Sequence, residues 1–232
     1  MHKQAMKIIN DTKMLQMKRT LLMAVVLTVF SIGGFAQNND PAAKKILDGV
    51  SAKFKSFKSV IANFTYKVEN AVGKTLSTKK GNVTMKGAKY HISFGDQEIW
   101  CDGKTTWSYD KSSNEVTVSK ADAAAGTITP QKLFTDFYDK DFLYKLNGDR
   151  KEGKKTLQEI EMTPTDKSKA FHKVYVLVDK NAQTLYSTKV LETSGNRYDY
   201  TVNSLKVNVN AADSQFVFDK SKYPGVEEVN LQ

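Results

Sequence analysis

The sequence predicts a mostly β (α+β) protein built on a single, strongly curved antiparallel sheet. Apolar and polar residues alternate through residues 89–120, as they do in strands that present one apolar face. Strand-like segments separated by turn residues also recur at regular spacing through most of the chain, which is typical of a large antiparallel sheet in one domain. We count about ten or eleven strands and two helices.

The first 36 residues are predicted to be an N-terminal extension and a cleaved signal peptide. A short basic start precedes a weakly polar to apolar run at 21–35, and Gly34 and Ala36 are small residues at the two positions that a signal peptidase reads. The run is shorter than the about twenty apolar residues that a membrane-spanning helix needs. We therefore expect an exported mature chain that begins at Gln37 and forms one domain, 37–232.

The charge balance argues for a solvated surface rather than for a nucleic-acid partner. The full chain has 35 Lys and Arg against 25 Asp and Glu, a net charge of +10; removing residues 1–36 leaves 30 basic and 24 acidic residues, a net charge of +6. The lysines interleave with apolar residues along the strands, as on the solvent side of a sheet. A docking patch for an acidic protein or for anionic headgroups is the alternative.

Residues 40–57 are predicted to form the N-terminal helix. Asp40 can cap it, and Pro41 suits its first turn. Apolar side chains follow at helical spacing: Ala43, Ile46, Leu47, Val50, Phe54 and Phe57. We expect this stripe to lie on the sheet.

Strands are predicted at 59–70 and 76–86, followed by four short strands within 89–120. Asp102-Gly103 and residues 111–114 form the turns between them. Alternation predicts that one continuous concave face carries the following side chains: Phe64, Tyr66, Tyr90, Ile92, Phe94, Trp107 and Tyr109. Val116 and Val118 share a face in the last of these strands.

A linker and a second helix interrupt the strands. Residues 121–129 are small, which is typical of a linker, and Thr129-Pro130 starts a helix. Leu133, Phe134 and Phe137 give this helix an apolar side. It is either a lid over the apolar face of the sheet or an ordinary packing helix.

Strands resume after this helix and are bounded by turn residues, the first turn being Asn147-Gly148. The predicted strands are 142–146, 156–163, 169–179, 184–193 and 197–207. Residues 174–178 are apolar in both alternating sets, which predicts a strand buried on both faces. The tail adds the apolar segments 216–218 and 224–226.

Few residues point to chemistry. Cys101 is the single cysteine, which excludes an internal disulfide, and we expect a buried thiol. His91 and His172 have no metal-ligand or triad-like partners nearby in sequence. Residues 148–155 resemble a P-loop, but Lys155 replaces the required hydroxyl and a strand follows instead of a helix. We predict neither an enzyme nor a cofactor.

Five segments follow one another along the chain: FTYKV at 64–68, GNVTMK at 81–86, IWCDGKTTWSYD at 99–110, the strand at 174–179 and the tail at 216–226. In this order they resemble the LolA family of periplasmic outer-membrane lipoprotein carriers. The resemblance implies an unclosed β-barrel with a short helical lid over an apolar cavity that receives the acyl chains of lipoproteins. The side chains expected to bind lipid are Phe64, Tyr66, Tyr90, Ile92, Phe94, Ile99, Trp107, Tyr109, Val116, Val118, Leu133, Phe134 and Phe137.

The resemblance also implies partners and one departure. The partners would be acylated lipoproteins, an inner-membrane transporter that releases them and an outer-membrane acceptor, and we expect a monomer that binds no nucleic acid. Better-studied members carry Arg-Pro where this chain has Gly87-Ala88, which places the latching of the lid in question; Lys86 and Lys89 are the nearby cations. A lipid-binding or lipid-sensing envelope module with a different cargo is the alternative function, and an exported enzyme would need a polar cluster that this sequence does not display.

Overall fold

The computed structural model describes residues 39–121 and 138–232, which form one long sheet with a helix against one face. The helices are α1 (Pro41–Ser56) and the single turn α2 (Tyr138–Asp141), with 3-10 turns at Asp213–Phe216 and Lys220–Lys222. The strands are β1 (Val60–Glu69), β2 (Thr75–Lys86), β3 (Lys89–Phe94), β4 (Gln97–Cys101), β5 (Thr105–Asp110), β6 (Glu115–Lys120), β7 (Phe142–Glu152), β8 (Lys155–Pro164), β9 (Phe171–Asp179), β10 (Thr184–Glu192), β11 (Arg197–Val207) and β12 (Glu227–Asn230).

The twelve strands make a single sheet that does not close. Their order is β12-β6-β5-β4-β3-β2-β1-β11-β10-β9-β8-β7, so β12 and β7 are its two ends. Every pair is antiparallel except β12 with β6, which is parallel. The predicted fold class is therefore confirmed: a mostly β protein with one open sheet and an N-terminal helix. The predicted lid helix lies outside the described residues.

Most predicted strands are confirmed, but the second half differs at two points. Asn147-Gly148 is not the end of a strand, because β7 continues through it to Glu152. The pair forms a bulge between Leu146 and Gly148, and the turn comes later at Gly153, where φ is 58°. The terminal strand β12 was not predicted, since four residues with a single apolar side chain carry no periodic signal.

Helix α1 is anchored at its N-terminus to the end strand β7. The Asp40 carboxylate accepts hydrogen bonds from the backbone N–H groups of Ala42 (2.8 Å) and Leu146 (2.9 Å). The Asp40 N–H donates to the carbonyl of Tyr144 at 3.1 Å. The hydrogen bonds to the carboxylate, of which the one from Leu146 has the largest effect, hold the pKa of Asp40 below its usual value. One residue thus caps the helix and ties it to the sheet.

The apolar stripe of α1 crosses the strands on one face, which we call the helix face. Ala43 and Leu47 are buried among side chains of β7, β8 and β9, whereas Phe54 and Phe57 pack against the buried side chains of β1 to β4. Sixteen residues of helix span about 24 Å. Five strand spacings between β7 and β1 span about the same distance. The helix therefore reaches across half of the sheet.

The opposite face, which we call the tail face, is covered near β4 to β6 by the C-terminal segment. Phe218, Tyr223 and Val226 pack there on Trp100 and Tyr109. The ring centroids of Tyr109 and Tyr223 are 4.6 Å apart, and those of Trp100 and Phe218 are 5.3 Å apart. The aromatic residues of β4 to β6 thus belong to a separate apolar layer.

The predicted single concave face is therefore wrong for part of its membership. Tyr90 lies opposite Cys101, and Cys101 lies opposite Thr106, so the neighbouring Trp107 points to the tail face. Tyr109 lies on the tail face with Trp107, and both are opposite valines of β6. Alternation identifies which residues of one strand share a side, but the connection between strands decides how two sets combine. Here the register of β5 on β4 places Trp107 and Tyr109 on the face opposite to that of Tyr90.

Candidate functional site

Five aromatic rings form a continuous patch on the helix face of β1, β3 and β11. We call Phe64, Tyr66, Phe94, Tyr198 and Tyr200 the aromatic row. The Tyr66 ring lies centrally, with centroid distances of 5.3 Å to Phe94, 5.9 Å to Tyr198 and 4.8 Å to Tyr200. Phe64 stacks on Phe94 at 5.8 Å. The strand pairing produces this patch, because Tyr66 lies directly opposite Tyr200.

A glycine makes room for the row. Gly81 of β2 lies between Phe64 and Phe94 in the sheet. A Cβ atom on Gly81 would lie 2.4 Å from Cζ of Phe64 and 2.8 Å from the carbonyl oxygen of Ser93. The Phe64 ring therefore takes the space that a side chain at residue 81 would need, and no side chain separates the two phenylalanines.

The row is the more open half of the helix face. Along β1, Val60 and Ala62 are buried beside the C-terminal end of α1, whereas Phe64 and Tyr66 are half-buried. Tyr200 remains 43% exposed. Large aromatic side chains in this state form an accessible apolar surface next to a closed core.

Two tyrosines of the row, Tyr66 and Tyr200, hold their phenol protons more firmly than a free tyrosine does. Burial raises the pKa of Tyr66 well above its usual value, and the neighbouring Tyr200 and Tyr198 phenols raise it further. Burial likewise raises the pKa of Tyr200. Lys79 is the adjacent cation, with Nζ 5.8 Å from the centroid of Phe94. The patch thus suits an apolar ligand with a polar end.

The structure separates the predicted lipid-binding residues into three groups. Phe64, Tyr66, Tyr90, Ile92, Phe94 and Ile99 lie on the helix face, where Tyr90 is buried. Trp107, Tyr109, Val116 and Val118 lie on the tail face, where the C-terminal segment covers Tyr109 and Val116. Leu133, Phe134 and Phe137 lie outside the described residues.

Sequence reasoning missed two members of the row, Tyr198 and Tyr200. Both are in β11, which was predicted as a strand but not assigned to a face. The signal was present, since Tyr198, Tyr200 and Val202 alternate. Nothing local shows that β11 pairs with β1, because about 130 residues separate them in sequence.

The lysines considered as substitutes for an arginine latch have another role on the tail face. Lys86 and Lys89 both contact the Asp213 carboxylate, at 2.9 and 2.8 Å. The two lysines, of which Lys89 has the larger effect, lower the pKa of Asp213 to about 2. The turn between them has Gly87 at a φ of 58°, a conformation that an arginine would adopt only with strain. This hairpin therefore helps to fasten the C-terminal segment.

A polar cleft of about 310 Å³ lies on the tail face of β7 to β11, away from the aromatic row. Its charged side chains are already paired: Arg150 with Glu152 and Glu159, and Lys189 with Asp199. Tyr186 donates to Glu152 at 2.7 Å. Most of the side chains that line the cleft are charged or polar, which suits a hydrocarbon chain poorly, so the aromatic row is the better candidate site.

Comparison with known proteins identifies the family. The family model described as "Outer membrane lipoprotein carrier protein LolA" matches residues 55–219, which is more than half of the chain. The chain belongs to the LolA family. The matched region contains β1, β3 and β11 and thus the whole aromatic row.

Two curated relatives of this LolA-family chain are outer-membrane lipoprotein carrier proteins of Cupriavidus. The protein from Cupriavidus necator is 28% identical over 190 residues, covering 78% of this chain and 87% of its own. The one from Cupriavidus pinatubonensis is 24% identical over 217 residues, covering 88% and 96%. Among solved structures, an uncharacterized conserved protein from Thermus thermophilus has a TM-score of 0.54 at 14% identity, covering 82% of this chain and 99% of that one. This last likeness concerns the fold alone.

Family membership also answers the question of catalysis. LolA-family carriers are binding proteins, so this chain is a binding protein and not an enzyme. Within residues 39–121 and 138–232, no group of His, Cys, Asp or Glu side chains has the arrangement of a metal site. Neither α1 nor α2 has the length and hydropathy of a membrane-crossing helix.

Proposed function

We propose that this protein is a periplasmic carrier that binds the acyl chains of lipoproteins on its helix face and ferries them to the outer membrane. The observation that carries the proposal is the aromatic row, an accessible apolar patch on the part of the helix face that α1 does not cover. The cargo would be acylated lipoproteins. An inner-membrane transporter would load the carrier, and an outer-membrane acceptor would unload it.

The half-exposed state of the row fits a carrier that must release its cargo. Burying a sixteen-carbon chain contributes roughly 12 kcal/mol, at about 0.8 kcal/mol per CH₂. Two or three fully buried chains would exceed the about 18–21 kcal/mol at which non-covalent affinity saturates. A surface that covers the chains only in part keeps binding strong and still reversible. The aromatic row, with Tyr200 43% exposed, provides such partial cover.

The lid completes the proposed cycle. We place Leu133, Phe134 and Phe137 over the helix face in the empty protein and away from it when cargo is bound. The lid and the acyl chains would then compete for one apolar surface, so part of the binding energy displaces the lid. Export by the predicted leader, cleaved after Ala36, places the carrier in the periplasm.

Binding of a soluble acylated peptide tests the proposed site. Replacing a tyrosine of the row, as in Tyr66→Ser, should weaken binding by roughly tenfold or more, because the acyl chain loses the ring's apolar surface. Tyr186→Ser is the matched control, since this half-buried tyrosine lies in the polar cleft on the other face. Equal effects of the two substitutions would contradict the site. Binding of free lipids but of no acylated peptide would instead favour the alternative, a lipid-binding module with another cargo.

A further inference from the structure

The hairpin between β1 and β2 exposes two large apolar side chains. Val72 is 87% exposed and Leu76 is 57% exposed. Leu76 is the extra residue of a bulge, because the pairing of the strands passes from Val68 with Ser77 to Glu69 with Thr75. A bulge redirects a side chain out of the regular sheet pattern. We call residues 70–76 the hairpin tip.

The hairpin tip is held by a network of hydrogen bonds. The Asn70 side chain accepts from the backbone N–H groups of Val72 (3.2 Å) and Lys74 (2.9 Å). The Asn70 backbone donates to the Lys74 carbonyl and accepts from Gly73. Arg197, at the start of β11, donates to the carbonyl of Ala71 at 3.0 Å. The apolar side chains are therefore presented to solvent by a braced turn.

The surroundings of the hairpin tip are basic. Lys74, Lys79 and Lys80 are all exposed on β2 or the turn before it. Glu69, at the end of β1, is already paired with Lys67 at 2.8 Å. Apolar side chains flanked by lysines are the combination that binds the surface of an anionic bilayer, since the first enter the acyl region and the second contact the headgroups.

The hairpin tip lies at the open end of the aromatic row. Along β1, the buried residues Val60 and Ala62 come first, then Phe64 and Tyr66, and then the turn. Phe94 ends β3, and Tyr198 is the second residue of β11, at this same end of the sheet. A ligand leaving the row in this direction would meet whatever the hairpin tip contacts.

We propose that the hairpin tip docks the protein on an anionic lipid surface, with Val72 and Leu76 entering the interface and the lysines contacting phosphate headgroups. Two apolar side chains bury far less than the about 1,200 Å² that a stable protein interface needs, which favours a lipid surface over a protein partner. The role of this contact in cargo transfer rests on the proposed function, whereas the contact itself does not.

Binding to protein-free vesicles tests the proposal. The exported protein should co-float with vesicles of phosphatidylcholine mixed with phosphatidylglycerol more than with pure phosphatidylcholine, and added salt should weaken this binding. Val72→Ser with Leu76→Ser should reduce it by roughly tenfold or more. Lys74→Gln with Lys80→Gln should reduce it by about fivefold for each lysine. The matched controls are Leu231→Ser, at an apolar side chain that is 64% exposed, and Lys151→Gln with Lys154→Gln, at exposed lysines near the end of β7 and in the turn that follows it.

A single fluorescent label separates the hairpin tip from the rest of the surface. Cys101 is 2% exposed, so a dye attached to Val72→Cys would report from that position alone. Its emission should shift to the blue on anionic vesicles, whereas a dye on Leu231→Cys should not change. Absence of vesicle binding, or equal effects of tip and control substitutions, would overturn the proposal.

The outcome also distinguishes this proposal from the carrier function. Binding of a soluble acylated peptide without vesicles should be unchanged in Val72→Ser with Leu76→Ser. If that peptide binds but vesicles do not, the docking surface is refuted and the carrier function stands. If vesicles bind through the tip but acylated peptides do not bind, the docking surface stands and the carrier function fails.

Discussion

At the scale of single residues, Gly81 makes the packing of the aromatic row possible. Phe64 and Phe94 can stack only because the backbone of β2 is bare between them. The sequence shows glycine at this position but not what the missing Cβ makes room for. Steric complementarity of this kind depends on three strands at once, so it is visible only in the folded structure.

Gly81→Ala should destabilise the protein by about 1–3 kcal/mol, because the added methyl group meets the Phe64 ring and the carbonyl of Ser93. Denaturant unfolding at constant m-value measures the change. Gly49→Ala, in the middle of α1, is the control: nothing lies within 4 Å of its Cβ, and the change should stabilise by up to about 1 kcal/mol. Similar effects at both glycines would show that packing around Gly81 is looser than described.

Asp40 is the second residue whose role extends beyond its own element. Asp40→Ala should cost about 1–2 kcal/mol, because both the helix cap and the bond to Leu146 are lost. The pKa of Asp40 is lowered in the folded state, so its contribution is present above the unfolded pKa and declines as pH falls through the folded value. Unfolding free energies of wild type and Asp40→Ala should therefore converge in acid. A difference independent of pH would contradict the role of the charge.

At the scale of elements, the existence and type of most helices and strands followed from the sequence, with β12 as an exception, whereas the combination of faces did not. The helix and its cap, the four strands of residues 89–120 and the strand β11 all match their predictions. The error at Trp107 and Tyr109 arose because alternation is a property of one strand, and the register across the β4–β5 connection had to be known as well. Those residues instead make the layer under the C-terminal segment.

The attachment of that segment gives a prediction at this scale. Asp213→Asn removes the charge that holds Lys86 and Lys89, so amide hydrogen exchange in β12 and the preceding 3-10 turns should become faster. The pKa of Asp213 is lowered to about 2, so its contribution is complete above the ordinary Asp pKa and is lost as pH falls towards 2. Lys151→Gln, at an exposed position on β7, should leave the exchange unchanged. Unaltered protection in Asp213→Asn would show that the apolar layer alone holds the segment.

At the scale of the whole molecule, the two faces of the open sheet are covered by different parts of the chain. The tail face is closed by Phe218, Tyr223 and Val226 near β4 to β6, whereas the helix face is filled by α1 only in part. The aromatic row is the part of the helix face that α1 leaves accessible. The resemblance to LolA carriers predicted this architecture, and the residues alone predicted only a curved sheet with one apolar face, since closure or openness depends on which strands end the sheet.

The proposed competition between a lid and the cargo predicts the sign of a mutational effect. Phe134→Ala or Phe137→Ala should destabilise the empty protein and slow dissociation of a bound acylated peptide, because only the closed, empty state loses contacts. In an ordinary packing helix the same substitution would cost about 3–5 kcal/mol without slower release. Thermal stability and the dissociation rate, measured side by side, check this. Lower stability with unchanged or faster release would exclude the competing lid.

The central claim is that the aromatic row holds the acyl chains of lipoproteins. Mass spectrometry of what co-purifies with the protein from the periplasm tests it most directly, with wild type compared against Tyr66→Ser combined with Tyr200→Ser. We predict acylated protein N-termini with the wild type and a large loss of them with the double variant, while Tyr186→Ser retains them. Wild-type protein that carries no acylated proteins, or a double variant that carries as many as the wild type, would contradict the claim.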